Sequence, residues 1–255
     1  MYSGNPFAAA VEAISRSARR DRAVRPEARA LSYLLIALTG HMCHVSAMTF
    51  EELLARVPAE GVFRTGQILA GERSPEHVRR QLHRWCTRGR ILKLRRGVYM
   101  VNERRSGDRA HPFVIANYLK KGSYVSLQSA LSHYGMIPEY VPVTTSVTTG
   151  RPETVSNDVG EFQFRHIHRR LFRDFESVHL TREQHAFMAT PEKALLDLLY
   201  LTPESDNIDL LKELRLTPPE TLTPEAFLRG LQDAADDTGV AKLRSAAERL
   251  QGLLP

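Results

Sequence analysis

Apolar residues between Phe50 and Leu69 recur at helical spacing. Phe50, Leu53, Leu54 and Val57 form one stripe that Pro58 stops, and Ile68 and Leu69 belong to a second short helix that starts at Thr65 and ends at Gly71. Thr49-x-x-Glu52 is a capping box at the start of the first helix. Ser74-Pro75-Glu76 opens a third: Ser74 is the N-cap, Pro75 takes the first helical position where its missing amide costs nothing, and Glu76 sits at the positive end. This helix is expected to run to about Arg88, with Gly89 as a left-handed cap. Val78, Leu82 and Trp85 mark its apolar face at i, i+4 and i+7. The period then drops to two. Ile91-Leu92-Lys93-Leu94 and Val98-Tyr99-Met100-Val101 flank Arg95-Arg96-Gly97, a hairpin with two arginines at its tip. Three helices followed by a basic hairpin is the order of a winged helix-turn-helix.

Further on, Pro112–Leu119 reads as a helix broken by Gly122, followed by a short strand over Ser123–Val125 and a helix of two or three turns ended by Gly135. Val141–Thr149 alternates as a strand, with Val143, Thr145 and Val147 on one side; Phe162, Phe164 and His166 alternate likewise, and Val178 and Leu180 mark another strand. Thr190-Pro191-Glu192 starts a helix bearing Ala194, Leu195, Leu198 and Leu199. The tail from Asn207 to Leu254 reads as three helices broken at Pro218-Pro219 and at Asp237-Thr238-Gly239. The expected class is α+β: an N-terminal winged helix-turn-helix, then a mixed α/β domain closed by a helical C-terminal subdomain. Three regions follow, a helical extension over 1–47, the DNA-binding domain over 48–104 and a C-terminal domain over 109–255, with the polar run Asn102–Asp108 as linker. In the extension, Leu31, Leu34, Leu35 and Leu38 share one helical face. A packed helix is therefore expected there rather than a cleaved leader or a membrane span, and Met48 is an alternative start.

Charge sharpens this picture. The 255 residues carry a net charge of +6 with 42% hydrophobic and 25% charged positions, an ordinary globular composition. Residues 73–96, however, hold nine basic side chains against one acidic, a net +8, whereas 171–255 carry nine against fifteen, a net −6. A neutral solvated face mixes signs, so a run this one-sided points to a polyanion. Glu76, Arg80, His83, Arg84 and Thr87 point away from the apolar face of the third helix, with His77 and Arg79 on its flanks. Arg79, Lys93, Arg95 and Arg96 are assigned to phosphates and His77, Arg80 and Arg84 to base edges, while Arg73 and Ser74 complete the set at the helix start. A second basic cluster, Arg165, His166, His168, Arg169, Arg170 and Arg173, is either solvated surface or a further contact to DNA or to an acidic partner.

The chemistry of an enzyme is not legible. Cys43 and Cys86 are too few for a disulfide framework and fit reduced thiols in a cytosol. His41, Cys43 and His44 stand too close together for a zinc set, and neither a P-loop nor a dinucleotide fingerprint occurs. Ser126, His133 and Asp197 could be called a triad, but no nucleophile-elbow motif surrounds Ser126. Asp158 with Glu161 and Gln163 faintly suggests a metal-dependent nuclease, without the lysine such sites carry. No cofactor, metal or catalytic activity is expected.

The run SYVSLQSALSHYGMIPE at 123–139, SVTTGRP at 146–152, FQFRHI at 162–167 and ATPEKALLDLL at 189–199, together with LRRGVYMV at 94–101, resembles the AbiEi antitoxin family over roughly residues 48–201. The resemblance implies a winged helix followed by a C-terminal antitoxin domain, repression of the protein's own operon and, as a type IV antitoxin, action against a nucleotidyltransferase-like toxin; binding at inverted repeats follows from a dimer or from two cooperating monomers. A stand-alone regulator without a toxin is the alternative. In this frame Ser126 is simply the N-cap of the following helix and His133 a hydrogen-bonded structural residue.

Overall fold

A computed structural model describes residues 48–71, 74–102 and 109–253. The expected N-terminal helices, all of the Asn102–Asp108 linker but Asn102, and Arg73 lie outside the described residues. The chain is mixed α/β. Its first helices are α1 (Phe50–Arg56), α2 (Thr65–Leu69) and α3 (Pro75–Thr87), and the hairpin strands are β2 (Ile91–Arg95) and β3 (Val98–Val101). The capping box of α1 is present: the Thr49 amide donates to Glu52 Oε2 at 2.7 Å and the Glu52 amide to Thr49 Oγ1 at 3.2 Å. Helix α3 ends in a Schellman motif, with Gly89 at φ 69 and its amide bonded to the Cys86 carbonyl while the Arg90 amide reaches Trp85. Ser74 takes the N-cap position, but its hydroxyl makes no capping bond. Its ψ of 73 lies outside the extended region from which a serine reaches the N2 or N3 amide.

One strand goes beyond the sequence pattern. β1 (Val62–Arg64) precedes α2 and pairs antiparallel with β3, giving a three-stranded sheet in the order β1-β3-β2. Three residues after a proline-terminated helix carry too short a pattern to announce a strand. The core beneath joins Phe50, Leu53, Phe63, Ile68, Val78, Leu82, Trp85 and Ile91, with the Phe50 and Trp85 rings edge to face at 5.4 Å.

The remainder is built on a six-stranded sheet, order β6-β7-β5-β4-β9-β8, from β4 (Ser123–Val125), β5 (Val143–Thr148), β6 (Glu153–Asn157), β7 (Gly160–His166), β8 (Phe175–His179) and β9 (His185–Ala189). β5 runs parallel to β7 and β4 to β9, while the other neighbours are antiparallel. The sequence pattern announces neither β6 nor β9. β6 is an edge strand whose exposed residues, Thr154 and Ser156, carry little apolar signal. The alternation over 141–149 predicts a half-buried strand. Instead Thr144 through Thr148 are all buried, because β5 lies inside the sheet and both of its faces are covered.

Helices α4 (Pro112–Leu119), α5 (Leu127–His133), α6 (Pro191–Leu201), α7 (Ile208–Glu213), α8 (Pro224–Thr238) and α9 (Ala241–Gln251) complete the fold, and the last three match the expected helical tail. α4 is capped by His111, whose Nδ1 accepts from the Phe113 amide at 3.2 Å. Burial, with His133 nearby, lowers the His111 pKa, and burial also lowers that of His133. A histidine whose folded pKa lies below its unfolded value costs stability once the unfolded state takes the proton first. Melting temperature is therefore expected to fall as pH drops through about 6.5 and to level off below the folded pKa. His111→Asn keeps a capping oxygen and should flatten part of that slope in a pH series of thermal melts, leaving the share that belongs to His133.

Among the described residues, the first region (48–102) does not stand apart from the second (109–253). Val62, Leu94, Val98 and Met100 share one buried cluster with Ala110, Ile115, Phe162 and Phe164. Among the described residues no helix is long and apolar enough to cross a membrane.

Candidate nucleic-acid interface

Helix α3 buries Val78, Leu82 and Trp85 and exposes Glu76, His77, Arg79, Arg80, His83, Arg84, Thr87 and Arg88. A 13-residue helix with one face locked by an aromatic core presents its other face rigidly. Arg79 pairs with Glu76 one turn earlier, and Arg84 Nη1 donates to Gln81 Oε1 at 3.2 Å. Both contacts are solvent-exposed and contribute little to stability, so a phosphate can replace them at small cost. Arg80 and His77 have no hydrogen-bond or ion-pair partner among the described residues. Cys86 is half-buried on this helix, and burial pushes its thiol pKa up, against the nearby Lys93 charge, so it is a packing residue rather than a nucleophile.

The hairpin divides its basic residues in a way the sequence does not suggest. Lys93 lies opposite Tyr99 and Arg95 opposite Val98, so Leu94 is an extra, bulged residue. The bulge takes Arg95 off the face that Lys93 occupies. Lys93 and Arg96 are exposed. Arg95 instead reaches into the second region, where Nη1 donates to the Leu119 carbonyl at 3.0 Å and pairs with Glu153 Oε1 at 3.3 Å. Lys120 Nζ meets the same carboxylate oxygen at 2.6 Å and the Arg151 carbonyl at 2.7 Å. Lys120, with Arg95 adding to it, holds the Glu153 carboxyl below the usual carboxylate range. Asn157 Nδ2 donates to the Leu94 carbonyl at 3.2 Å, and the Gly97 carbonyl accepts from the Thr65 amide at 2.9 Å. Gly97 closes the two-residue turn at φ 80. The hairpin is thus fastened on both flanks.

The second basic cluster is only partly uncommitted. Arg165 Nη2 donates to the Leu201 carbonyl at 3.4 Å, and His166 Nδ1 lies 3.0 Å from the Gly150 carbonyl. His168 caps a short 3₁₀ turn over Arg169–Leu171 by accepting from the Arg170 amide at 3.3 Å. Arg173 pairs with Asp174 at 3.4 Å and with Asp237. Arg169 and Arg170 remain exposed.

Ser126 and Asp197 do meet, but as a buried structural knot. Asp197 is wholly buried and accepts from Ser126 Oγ at 2.8 Å, Tyr124 OH at 3.0 Å and Lys193 Nζ at 2.7 Å. Burial pushes the Asp197 carboxyl up against the pull of Lys193 and the two hydroxyls, and burial likewise raises Tyr124. Ser126 sits at the N-cap position of α5 yet does not cap it. Leu127 takes φ 59 and turns the first helical amides away, so Thr145 Oγ1 of β5 accepts from the Ser129 amide at 3.1 Å instead. His133 does not complete a triad, and among the described residues its ring makes no hydrogen bond of the kind the sequence suggests; it packs on the rings of Phe113 and Tyr134 instead. Asp158 sits exposed in the turn between β6 and β7, and the described residues contain no group of three or more His, Cys, Asp or Glu able to hold a metal.

Residues 51–102, from α1 through β3, match the family model of the AbiEi antitoxin transcriptional regulators. No curated protein matches the chain.

Proposed function

We propose that this chain, which carries the AbiEi antitoxin and transcriptional-regulator element over residues 51–102, is a DNA-binding repressor of its own operon that works through a winged helix-turn-helix over 48–104. The observation that carries this reading is the outer face of α3, on which Arg79, Arg80, Arg84 and His77 stand exposed with one acidic neighbour. Inserted into a major groove, Arg80, His77 and Arg84 read base edges, while Arg79, Lys93 and Arg96 hold phosphates. The Ser74 hydroxyl, which makes no capping bond, stands at the N-terminal end of α3 as a further donor for a phosphate. Arg73 continues the same run in sequence. Exposed Arg169 and Arg170 are a further place for backbone contact. Residues 109–255 carry the antitoxin role against a nucleotidyltransferase-like toxin, and the reading implies a cytoplasmic protein with no catalytic step of its own.

Mobility shifts on the protein's own upstream DNA test this. Specific binding at inverted repeats is expected, and equal affinity for scrambled duplexes would overturn it. Arg96→Ala should reduce the slope of log affinity against log salt by about one unit. Arg95→Ala should leave that slope unchanged and lower the melting temperature instead, since Arg95 is spent on Glu153 and Leu119. A loss of slope with Arg95→Ala would put that side chain on DNA. Growth on co-expression with the neighbouring gene product scores the antitoxin half.

A further inference from the structure

A cleft of about 540 Å³ opens where β4 and β9 diverge, walled by α4 and by the end of β1. That volume lies within the range of small-molecule sites. The two strands are joined only at Val125 and Met188, and upstream of that pair Asn117 of α4 takes over as partner of β9. Asn117 Oδ1 accepts from the Phe187 amide at 2.6 Å, and its Nδ2 donates to the Phe187 carbonyl at 3.4 Å. Phe187 is therefore pinned through its backbone, yet it is 52% exposed, unusual for a phenylalanine so fixed. The Phe175 ring braces it edge-on at 6.2 Å.

Around this aromatic the cleft gathers nitrogen-bearing side chains. Arg64 donates to the Asn117 and Tyr118 carbonyls at 3.1 and 2.6 Å, both through Nη2, and its guanidinium carbon lies 5.4 Å from the Tyr118 ring centre. Lys121 is exposed at the cleft with no hydrogen-bond or ion-pair partner among the described residues. His185 also lines the cleft, its ring held by that of His179 across the strand pair at 4.1 Å. The Ser177 hydroxyl adds a donor, and Glu60 stands as the one carboxylate. A rigid exposed ring beside two cations and two further donors suits a flat aromatic group joined to an anion.

We propose that this cleft binds a nucleoside monophosphate, the base against Phe187 and the phosphate on Lys121, His185 and Ser177. The shared chemistry, a base carrying one phosphate, could be presented by a free nucleotide or by an unpaired nucleotide of a nucleic-acid strand. The inference goes beyond the duplex-DNA reading and is measured without duplex present, so failure of either leaves the other standing. Because Glu60 and Arg64 belong to the first region and the other walls to the second, an occupant touches both.

Calorimetric titration of the full chain with adenosine and guanosine monophosphate tests this, with inorganic phosphate, adenosine and a single-stranded thymidine pentanucleotide as separate arms. Saturable binding of at least one monophosphate is expected, about tenfold or more tighter than phosphate or nucleoside alone. Lys121→Ala and Phe187→Leu, both checked for an unchanged melting temperature, should each weaken it by about tenfold. Tighter binding of the pentanucleotide, lost in the same variants, supports the cleft and names the strand as its source. Absence of binding in every arm, or binding that neither variant weakens, overturns the proposal.

Discussion

Replacing Asp197 by alanine is expected to destabilise the protein by about 3–5 kcal/mol, because it leaves the Lys193 ammonium buried without its counter-charge. Lys193 is 5% exposed and Asp197 fully buried, so water cannot enter to compensate. The hydroxyls of Tyr124 and Ser126 lose their acceptor in the same step. Each stranded donor adds a desolvation cost of its own. Removing both charges together, as in Lys193→Met with Asp197→Leu, should recover the share owed to the unpaired ammonium but not that of the two stranded hydroxyls, since an apolar pair replaces a buried ion pair at little cost while Tyr124 and Ser126 still lack an acceptor. Urea denaturation of the single and double variants checks this. A single variant within about 1 kcal/mol of the unmodified protein would mean that the knot is not closed as described.

The second large effect concerns the proposed DNA contact. Exchanging Arg79, Arg80 and Arg84 together for alanine should weaken binding to the upstream operator by about a hundredfold or more while leaving the melting temperature within a few degrees. Stability is spared because Arg79 meets Glu76, and Arg84 meets Gln81, only at the solvent-exposed surface. Arg80→Ala alone should cost about 1–3 kcal/mol on the operator and much less on unrelated duplex. A triple variant that still shifts the operator at the original concentration would remove α3 from the groove and with it the repressor mechanism.

Much of the first region is legible in the sequence because its determinants are local. A capping box, a proline at N1, a glycine at C′ and a two-residue turn each declare themselves within a few positions, and α1, α3 and the β2–β3 hairpin follow. The outer face of α3 follows from helical spacing alone. What escapes such reading is set by partners far away along the chain. A regular hairpin would put Arg95 at the tip and on DNA; the bulge at Leu94 and a carboxylate 58 positions downstream redirect it. Serine before an apolar helix normally caps it, but Asp197, 71 residues on, claims the Ser126 hydroxyl and Thr145 caps in its place. β9 carries Ala186, Met188 and Ala189 on its buried positions, too weak an apolar signal to stand out between two histidines and a helix. The cleft at the β4–β9 fork has no counterpart in sequence at all, since its walls come from separate segments that only the fold brings together.

The apolar seam between the hairpin sheet and the larger sheet limits how far residues 51–102 are a transferable part. Val62, Leu94, Val98 and Met100 are each at most 5% exposed and pack in one cluster with side chains of the second region. Cut out at Asn102, the element would present those four side chains to water as one adhesive strip and leave Arg95 without its carboxylate. Chimeras that borrow α3 and the hairpin of this protein must therefore carry α4 and β6 along, or repaint the strip with polar residues. For the same reason, sequence drift on either side of the seam is constrained by the other, so the outer face of α3 and the C-terminal body are expected to evolve as a matched pair.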